Sequence, residues 1–97
     1  MRYEIVLSPE AIDDLRHLPA HVRAAVKDAI QQHLHFEPTM TSKSRIKRLR
    51  GLSRPQYRLR TEDIRVFYDV NEGTVEVLAI ISKDKAEEWL ERCGRRP

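Results

Sequence analysis

Arginine side chains form the group in this sequence whose type and spacing point to chemistry. Arg58 and Arg60 are separated by one residue, and Arg65 lies in the next run of alternating residues. Side chains of a β-strand alternate between its two faces, so these three guanidinium groups are predicted to share one face of two neighbouring strands. Like charges this close repel one another unless an anion lies among them. We term these residues the arginine cluster, which is predicted to bind an anion such as phosphate through paired N–H donors.

The arginine cluster lies within residues 43–65, which we term the basic segment. The segment contains nine basic and two acidic side chains, a net charge of +7, whereas the whole chain carries +3. Charge of nearly one sign favours a polyanionic partner, either nucleic acid or an acidic protein segment, over a merely solvated surface. Outside the arginine cluster, the residues predicted to contact this partner are Lys43, Arg45, Lys47, Arg48, Arg50, Arg54, Phe67 and Trp89.

RNA strand scission is a reaction that the arginine cluster fits. It requires a 2′-hydroxyl nucleophile, neutralisation of the charge that develops on the phosphorane, and help for the leaving oxygen. Arginine supplies the second requirement, whereas an acid–base pair normally supplies the others. No such pair is visible beside the cluster, although Lys83 follows the last predicted strand. A nuclease with these residues would depend on electrostatic stabilisation and on positioning of its substrate.

Other site chemistries have little support in the sequence. The four histidines occur as two pairs without a neighbouring cysteine, which is not the ligand spacing of a zinc site. The three glycines do not form a glycine-rich phosphate loop. We therefore expect no metal and no cofactor.

Length and composition restrict the class of protein. A chain of 97 residues, 40% of them apolar, is predicted to form a single globular domain over residues 1–97. Its longest apolar run is far shorter than the ~20 residues that cross a membrane, and the N-terminus shows no apolar signal region. One cysteine, Cys93, forms no internal disulfide, which favours a reducing cytoplasm.

The elements that position the arginine cluster begin with an alternating strand over residues 2–7. Ser8 and Pro9 are typical of a helix start, Pro19 separates this helix from a second one, and Pro38 ends the second helix. The two helices are predicted to pair as a short-turned hairpin.

Alternating patterns then predict three further strands, over residues 56–60, 64–70 and 75–81. A final helix is predicted from the Ser82 cap to Gly94, followed by a three-residue tail. The order β-α-α-β-β-β-α indicates an α+β fold, in which a mostly antiparallel four-stranded sheet carries the helical hairpin on one face. The strand residues predicted to face that hairpin are Tyr3, Ile5, Leu7, Tyr57, Leu59, Val66 and Tyr68.

The sequence resembles the RelE/ParE superfamily of bacterial type II toxins from about Tyr3 to Leu90. The matching stretches are Ser8-Pro9-Glu10-Ala11, Leu49-Arg50-Gly51, Tyr57-Arg58-Leu59-Arg60 and Ile64-Arg65-Val66-Phe67-Tyr68-Asp69-Val70. The resemblance implies the same fold and a cognate acidic antitoxin that holds the toxin inactive in a hetero-oligomer.

The resemblance leaves two activities open. RelE-like toxins cut mRNA in the ribosomal A site, which would make Arg58, Arg60 and Arg65 catalytic, with Lys83 as the basic residue after the last strand. ParE-like toxins inhibit DNA gyrase and are not nucleases. Nucleases of the family often have a tyrosine or histidine near the C-terminus, where this chain has Trp89-Leu90. We expect the mRNA endoribonuclease; the alternatives are the gyrase inhibitor and a non-toxic basic binding module.

Overall fold

The order of the elements agrees with the prediction and includes one additional strand. The computed structural model describes residues 2–97. Its elements are β1 (Glu4–Leu7), α1 (Pro9–Arg16), α2 (Ala20–Leu34), β2 (Ile46–Arg48), β3 (Tyr57–Thr61), β4 (Ile64–Asn71), β5 (Thr74–Ser82) and α3 (Lys83–Cys93). Within residues 2–97, no helix is long and apolar enough to cross a membrane.

Helix α1 begins where the sequence predicts, at a serine cap. The Ser8 hydroxyl accepts a hydrogen bond from the Ala11 N–H at 3.1 Å and donates one to the Leu78 carbonyl at 3.0 Å. Pro9 occupies the first helical turn, where its missing N–H costs nothing. The cap therefore begins the helix and also ties it to β5.

Helix α3 does not receive the same kind of cap. Ser82 stands at its N-cap position, as predicted, but the Ser82 side chain makes no capping hydrogen bond. The helix instead begins with a backbone contact, because the Lys83 N–H donates to the Asp63 carbonyl at 2.8 Å.

The two serines allow a matched stability test. We expect Ser8→Ala to lower the free energy of unfolding by about 1 kcal/mol, within the range of about 0.5–2 kcal/mol found for lost caps. Ser82→Ala should change it by less than about 0.5 kcal/mol, because no side-chain bond is lost. Urea denaturation followed by circular dichroism measures both values. Equal losses in the two variants would show that the Ser8 bonds carry no stability.

The sheet is mixed and has five strands, in the order β1-β5-β4-β3-β2. β1 pairs with β5 in parallel, and the other three pairs are antiparallel. The prediction of a mostly antiparallel sheet is therefore confirmed, whereas the predicted number of four strands is too low by one. β2 was missed because it is an edge strand of three residues, of which two are charged and exposed.

The predicted core face is confirmed. Leu59, Val66 and Tyr68 are fully buried in one cluster with residues of α1 and α2. Tyr3, Ile5, Leu7 and Tyr57 pack against this cluster as partly buried residues. Ile12 of α1 lies outside this core and is 41% exposed.

The C-terminal residues are attached to the basic segment and do not form a free tail. The Arg95 N–H donates to the Arg54 carbonyl at 2.7 Å, and the Ser53 N–H donates to the Arg95 carbonyl at 2.8 Å. Gly94 ends α3 as predicted, but its φ of −68° lies outside the left-handed region. A Cβ at this position would lie 2.5 Å from the Leu90 carbonyl oxygen, so close backbone approach explains the glycine.

Candidate functional site

The structure brings the arginine cluster together on the sheet face opposite the helical hairpin. Arg60 pairs directly with Arg65 across β3 and β4, and Arg58 pairs with Phe67. Paired residues of antiparallel strands point to the same side, and their neighbours Leu59 and Val66 lie in the core. We call this outer surface the arginine face.

Arg58 is partly buried on the arginine face. Its Nε atom is buried and has no hydrogen-bond partner among residues 2–97. Burial lowers the pKa of the Arg58 guanidinium, and the charges of Arg65 and Arg60 lower it further. Arginine nevertheless stays charged at neutral pH. The site therefore carries a desolvated positive charge that an anion would stabilise.

Arg65 is oriented by the chain around it. Its Nη1 donates to the Glu62 carbonyl at 3.0 Å and to the Ile64 carbonyl at 3.1 Å. These bonds hold the guanidinium near the turn between β3 and β4. Partial burial lowers the pKa of Arg65, as does Arg60, while the Asp63 carboxylate raises it.

Lys83 lies near the same turn. Its Nζ is 3.5 Å from the Asp63 Oδ1, and the backbone of Lys83 also bonds to Asp63. Strand pairing explains this, because Ile64 lies opposite Ser82. The sequence alone did not indicate Asp63 as a partner, since the contact depends on the register of β4 and β5.

Phe67 and Trp89 form a stacked pair instead of two free contact residues. Their ring centroids are 5.0 Å apart and their planes differ by 9°. Phe67 is only 1% exposed, so the expectation that it contacts a partner is wrong for this conformation. Trp89 remains partly exposed. The pair instead attaches α3 to the arginine face.

The flanking basic residues fall into different environments. Lys47 pairs with Arg58 across β2 and β3 and so belongs to the arginine face. Arg48 lies on the other side, with its guanidinium carbon 5.1 Å from the centre of the Tyr57 ring. Lys43 and Arg50 are exposed.

Within residues 2–97, Arg54, unlike the other flanking basic residues, forms ion pairs with two carboxylates of the sheet. Its Nη2 is 3.1 Å from the Glu76 Oε1, and its Nε is 3.5 Å from the Asp69 Oδ2. These two carboxylates offset its charge, so Arg54 is a structural contact between the basic segment and the sheet. No spacing in the sequence indicated these partners.

Asp69 predicts a measurable pH dependence of stability. Burial raises the pKa of its carboxyl, although the Gln56 N–H bond and Arg54 act in the opposite direction. The folded state therefore binds this proton more tightly than the unfolded chain does, and the stability contributed through Asp69 rises as pH falls through its folded pKa.

We expect Asp69→Asn, which keeps an acceptor for Gln56, to gain stability relative to the wild type as pH rises from about 4 to about 7. Urea denaturation at a series of pH values measures this difference. Glu87→Gln, at an exposed position of α3, serves as the control. Parallel profiles for wild type and Asp69→Asn would contradict the assignment.

The histidines have local roles that the sequence did not reveal. His33 Nε2 lies 2.7 Å from the Arg45 Nη1, and His35 Nδ1 lies 3.0 Å from the Tyr3 carbonyl oxygen. In the part of the chain described here, no three His, Cys, Asp or Glu side chains are placed to hold a metal ion.

Comparison with known families identifies the chain. The family model described as the ParE toxin of the type II toxin–antitoxin system parDE matches residues 5–87. The chain is a member of the RelE/ParE toxin superfamily. It is thus the toxin component of a type II toxin–antitoxin system, as the motifs of its strands predicted. Comparison with curated protein sequences gives no significant match.

Solved structures share the fold of this toxin. The RelBE2 toxin–antitoxin complex from Mycobacterium tuberculosis is 25% identical over 84% of this chain and 99% of that one, with a TM-score of 0.67. Free RelE from E. coli, a double mutant, is 23% identical over 94% and 93% of the chains, with a TM-score of 0.70. A RelB–RelE complex from Methanococcus jannaschii is 21% identical over 87% and 96%, with a TM-score of 0.67.

Proposed function

We propose that this toxin is a ribosome-dependent mRNA endoribonuclease that acts in the cytoplasm. The arrangement of Arg58, Arg60 and Arg65 on one sheet face is the observation that carries the proposal. The Nε of Arg58 is buried without a partner among residues 2–97, and burial together with the neighbouring arginine charges lowers the pKa of Arg58 and Arg65. A phosphodiester supplies negative charge to this surface.

The arginines act on the transition state of strand scission. The 2′-oxygen of one nucleotide gives its proton to water and attacks the adjacent phosphorus to form a 2′,3′-cyclic phosphate. The bond from phosphorus to the 5′-oxygen of the next nucleotide breaks, and this oxygen takes up a proton from water. Negative charge builds up on the phosphorane oxygens between these events. Arg65, fixed by two carbonyl groups, and Arg58 stabilise this charge without reorganisation, while Lys83 assists from the same end of the face.

Inhibition of DNA gyrase without nuclease activity is the second candidate function. The ParE family model matches most of the chain, which favours it. The placement of the aromatic side chains also favours gyrase inhibition. Trp89 cannot transfer a proton, and Tyr57 and Tyr68 face the helical hairpin instead. A non-toxic basic binding module is the third reading.

The partner that we infer is an antitoxin with an acidic segment that lies over the basic segment. The M. tuberculosis and M. jannaschii structures are complexes of a toxin with its antitoxin. The net charge of +7 over residues 43–65 requires complementary negative charge on such a partner.

Salt dependence tests this interface. We expect the association rate of toxin and antitoxin to fall as salt is added, because charges are screened beyond about 8 Å at physiological ionic strength. Stopped-flow or surface plasmon resonance measurements at several salt concentrations provide the rate. A basic partner, or an association rate that ignores salt, would contradict the proposed interface.

Two assays on the wild-type toxin separate the candidate functions. A nuclease that needs the ribosome is expected to stop protein synthesis in a cell-free translation mixture and to leave gyrase supercoiling unaffected. A gyrase inhibitor gives the reverse result. A folded toxin that does neither would leave only the binding module.

A further inference from the structure

A cleft of about 360 Å³ adjoins the arginine face at the edge of the sheet. It lies between the start of β2 and the turn from β3 to β4. Its lining residues are Ser44, Arg45, Arg60, Thr61 and Glu62. Arg60 therefore belongs both to the arginine cluster and to this cleft. The Arg60 N–H donates to the Arg45 carbonyl at 2.7 Å, which fixes the two arginines on neighbouring segments.

Arg45 borders both this cleft and a neighbouring cavity, in which it contacts a neutral partner. Its Nη1 is 2.7 Å from the His33 Nε2, and its backbone N–H donates to the Ser42 hydroxyl at 2.9 Å. Burial lowers the pKa of His33, and the charge of Arg45 lowers it further. A neutral imidazole accepts a hydrogen bond but does not offset the guanidinium charge.

The charges of both cleft arginines are unpaired. Over residues 2–97, no carboxylate lies within ion-pair distance of Arg45 or Arg60, although Glu62 also lines the cleft. The hydroxyls of Ser44 and Thr61 complete a lining that contains no large apolar side chain.

We propose that this cleft binds a second phosphate of the RNA strand, next to the phosphate that is cut on the arginine face. The inference rests on the proposed nuclease function. This proposal predicts that the bound RNA strand runs from Arg58 and Arg65 past Arg60. The RNA then crosses the edge of the sheet to reach Arg45. The bound species is the sugar–phosphate backbone, so the cleft adds affinity without reading the base sequence.

The lining favours RNA backbone over an acidic protein segment. Guanidinium groups and hydroxyls are the usual donors to phosphate oxygens. Protein segments that dock in grooves usually anchor themselves with apolar side chains, for which this cleft offers no pocket.

Binding of a single-stranded RNA that cannot be cut tests the proposal. The probe is a fluorescein-labelled 2′-O-methyl RNA of about twelve nucleotides, and fluorescence anisotropy gives its Kd at several salt concentrations. The slope of log K against log salt is negative, and each lost phosphate contact makes it less steep by about 0.7 for a single strand. We expect this change for Arg45→Gln and no change for Arg45→Lys, which keeps the charge.

Controls separate the possible failures. Arg16→Gln, at an exposed position of α1, should bind like the wild type, and circular dichroism confirms that each variant is folded. An unchanged slope in Arg45→Gln, from a wild type that binds the probe and cuts mRNA, would overturn the cleft inference alone. A wild type that neither binds the probe nor cuts mRNA would overturn the nuclease proposal as well.

Binding of a polyglutamate peptide tests whether the cleft takes an acidic protein segment instead of RNA. If Arg45→Gln weakens binding of this peptide and leaves RNA binding unchanged, the cleft takes an acidic protein segment and the proposal is wrong. If the variant weakens RNA binding to the same extent for different base sequences, the backbone subsite is supported.

Discussion

Arg65→Ala is expected to slow mRNA cleavage by ~100- to 1,000-fold. Removal of one preorganised donor from a developing oxyanion typically costs about 2.7–4 kcal/mol of transition-state stabilisation. Arg65 is such a donor, because the carbonyls of Glu62 and Ile64 orient its guanidinium before substrate binds. The cleavage rate on ribosomes under single-turnover conditions measures the loss, and growth arrest in cells that lack the antitoxin should disappear with it.

Two further variants show whether this loss is specific. Arg16→Ala removes an exposed arginine from α1 and should leave the cleavage rate unchanged. Arg65→Lys keeps the charge but loses the paired N–H donors of the guanidinium, so we expect an intermediate rate. The Arg65→Ala protein should unfold at the wild-type urea concentration, because its side chain lies outside the core. Cleavage at the wild-type rate by a folded Arg65→Ala toxin would exclude Arg65 from the reaction.

Phe67→Ala is expected to lower the free energy of unfolding by about 3–5 kcal/mol, the usual cost of truncating a buried phenylalanine. Phe67 is 1% exposed and carries the stacked Trp89 ring. The substitution leaves a cavity between the sheet and α3, and it exposes Trp89 to water. Urea denaturation gives the stability, and a red shift of the tryptophan fluorescence reports the release of α3.

A second substitution separates packing from ligand contact at this position. Phe67→Leu keeps most of the buried volume, so it should lose less stability and retain RNA binding. Weakened RNA binding by a stable Phe67→Leu toxin would indicate that the ring contacts a base after all. Trp89→Ala is expected to cost less than Phe67→Ala, because Trp89 is partly exposed.

The arginine face was predictable from local pattern. Alternation in β3 directs Arg58 and Arg60 to the sheet face that Leu59 does not occupy. The same alternation in β4 directs Arg65 to the face that Val66 does not occupy. Side-chain direction in a strand depends on period two, which neighbouring residues alone reveal. The cap at Ser8 was predictable for the same reason, since its partner is three residues away.

Contacts that depend on register between distant segments were not predictable. Arg54 meets Asp69 and Glu76 only after β4 and β5 have paired and the segment before β3 has folded over them. Arg45 meets His33 across twelve residues of chain that include a loop. Strand β2 was missed because one buried residue, Ile46, does not make a periodic pattern. The burial of Phe67 follows from the packing of α3 on the sheet, and the local sequence pattern did not predict where α3 packs.

Primer extension on a translated message tests the central claim most directly. Purified toxin is mixed with ribosomes that are stalled at a known codon, and the 3′ ends of the message are mapped. The arginine face predicts new ends within the A-site codon for the wild type, and a rate ~100- to 1,000-fold lower for Arg65→Ala. An intact message after incubation with folded wild-type toxin, together with inhibition of gyrase supercoiling by the same preparation, would contradict the nuclease account.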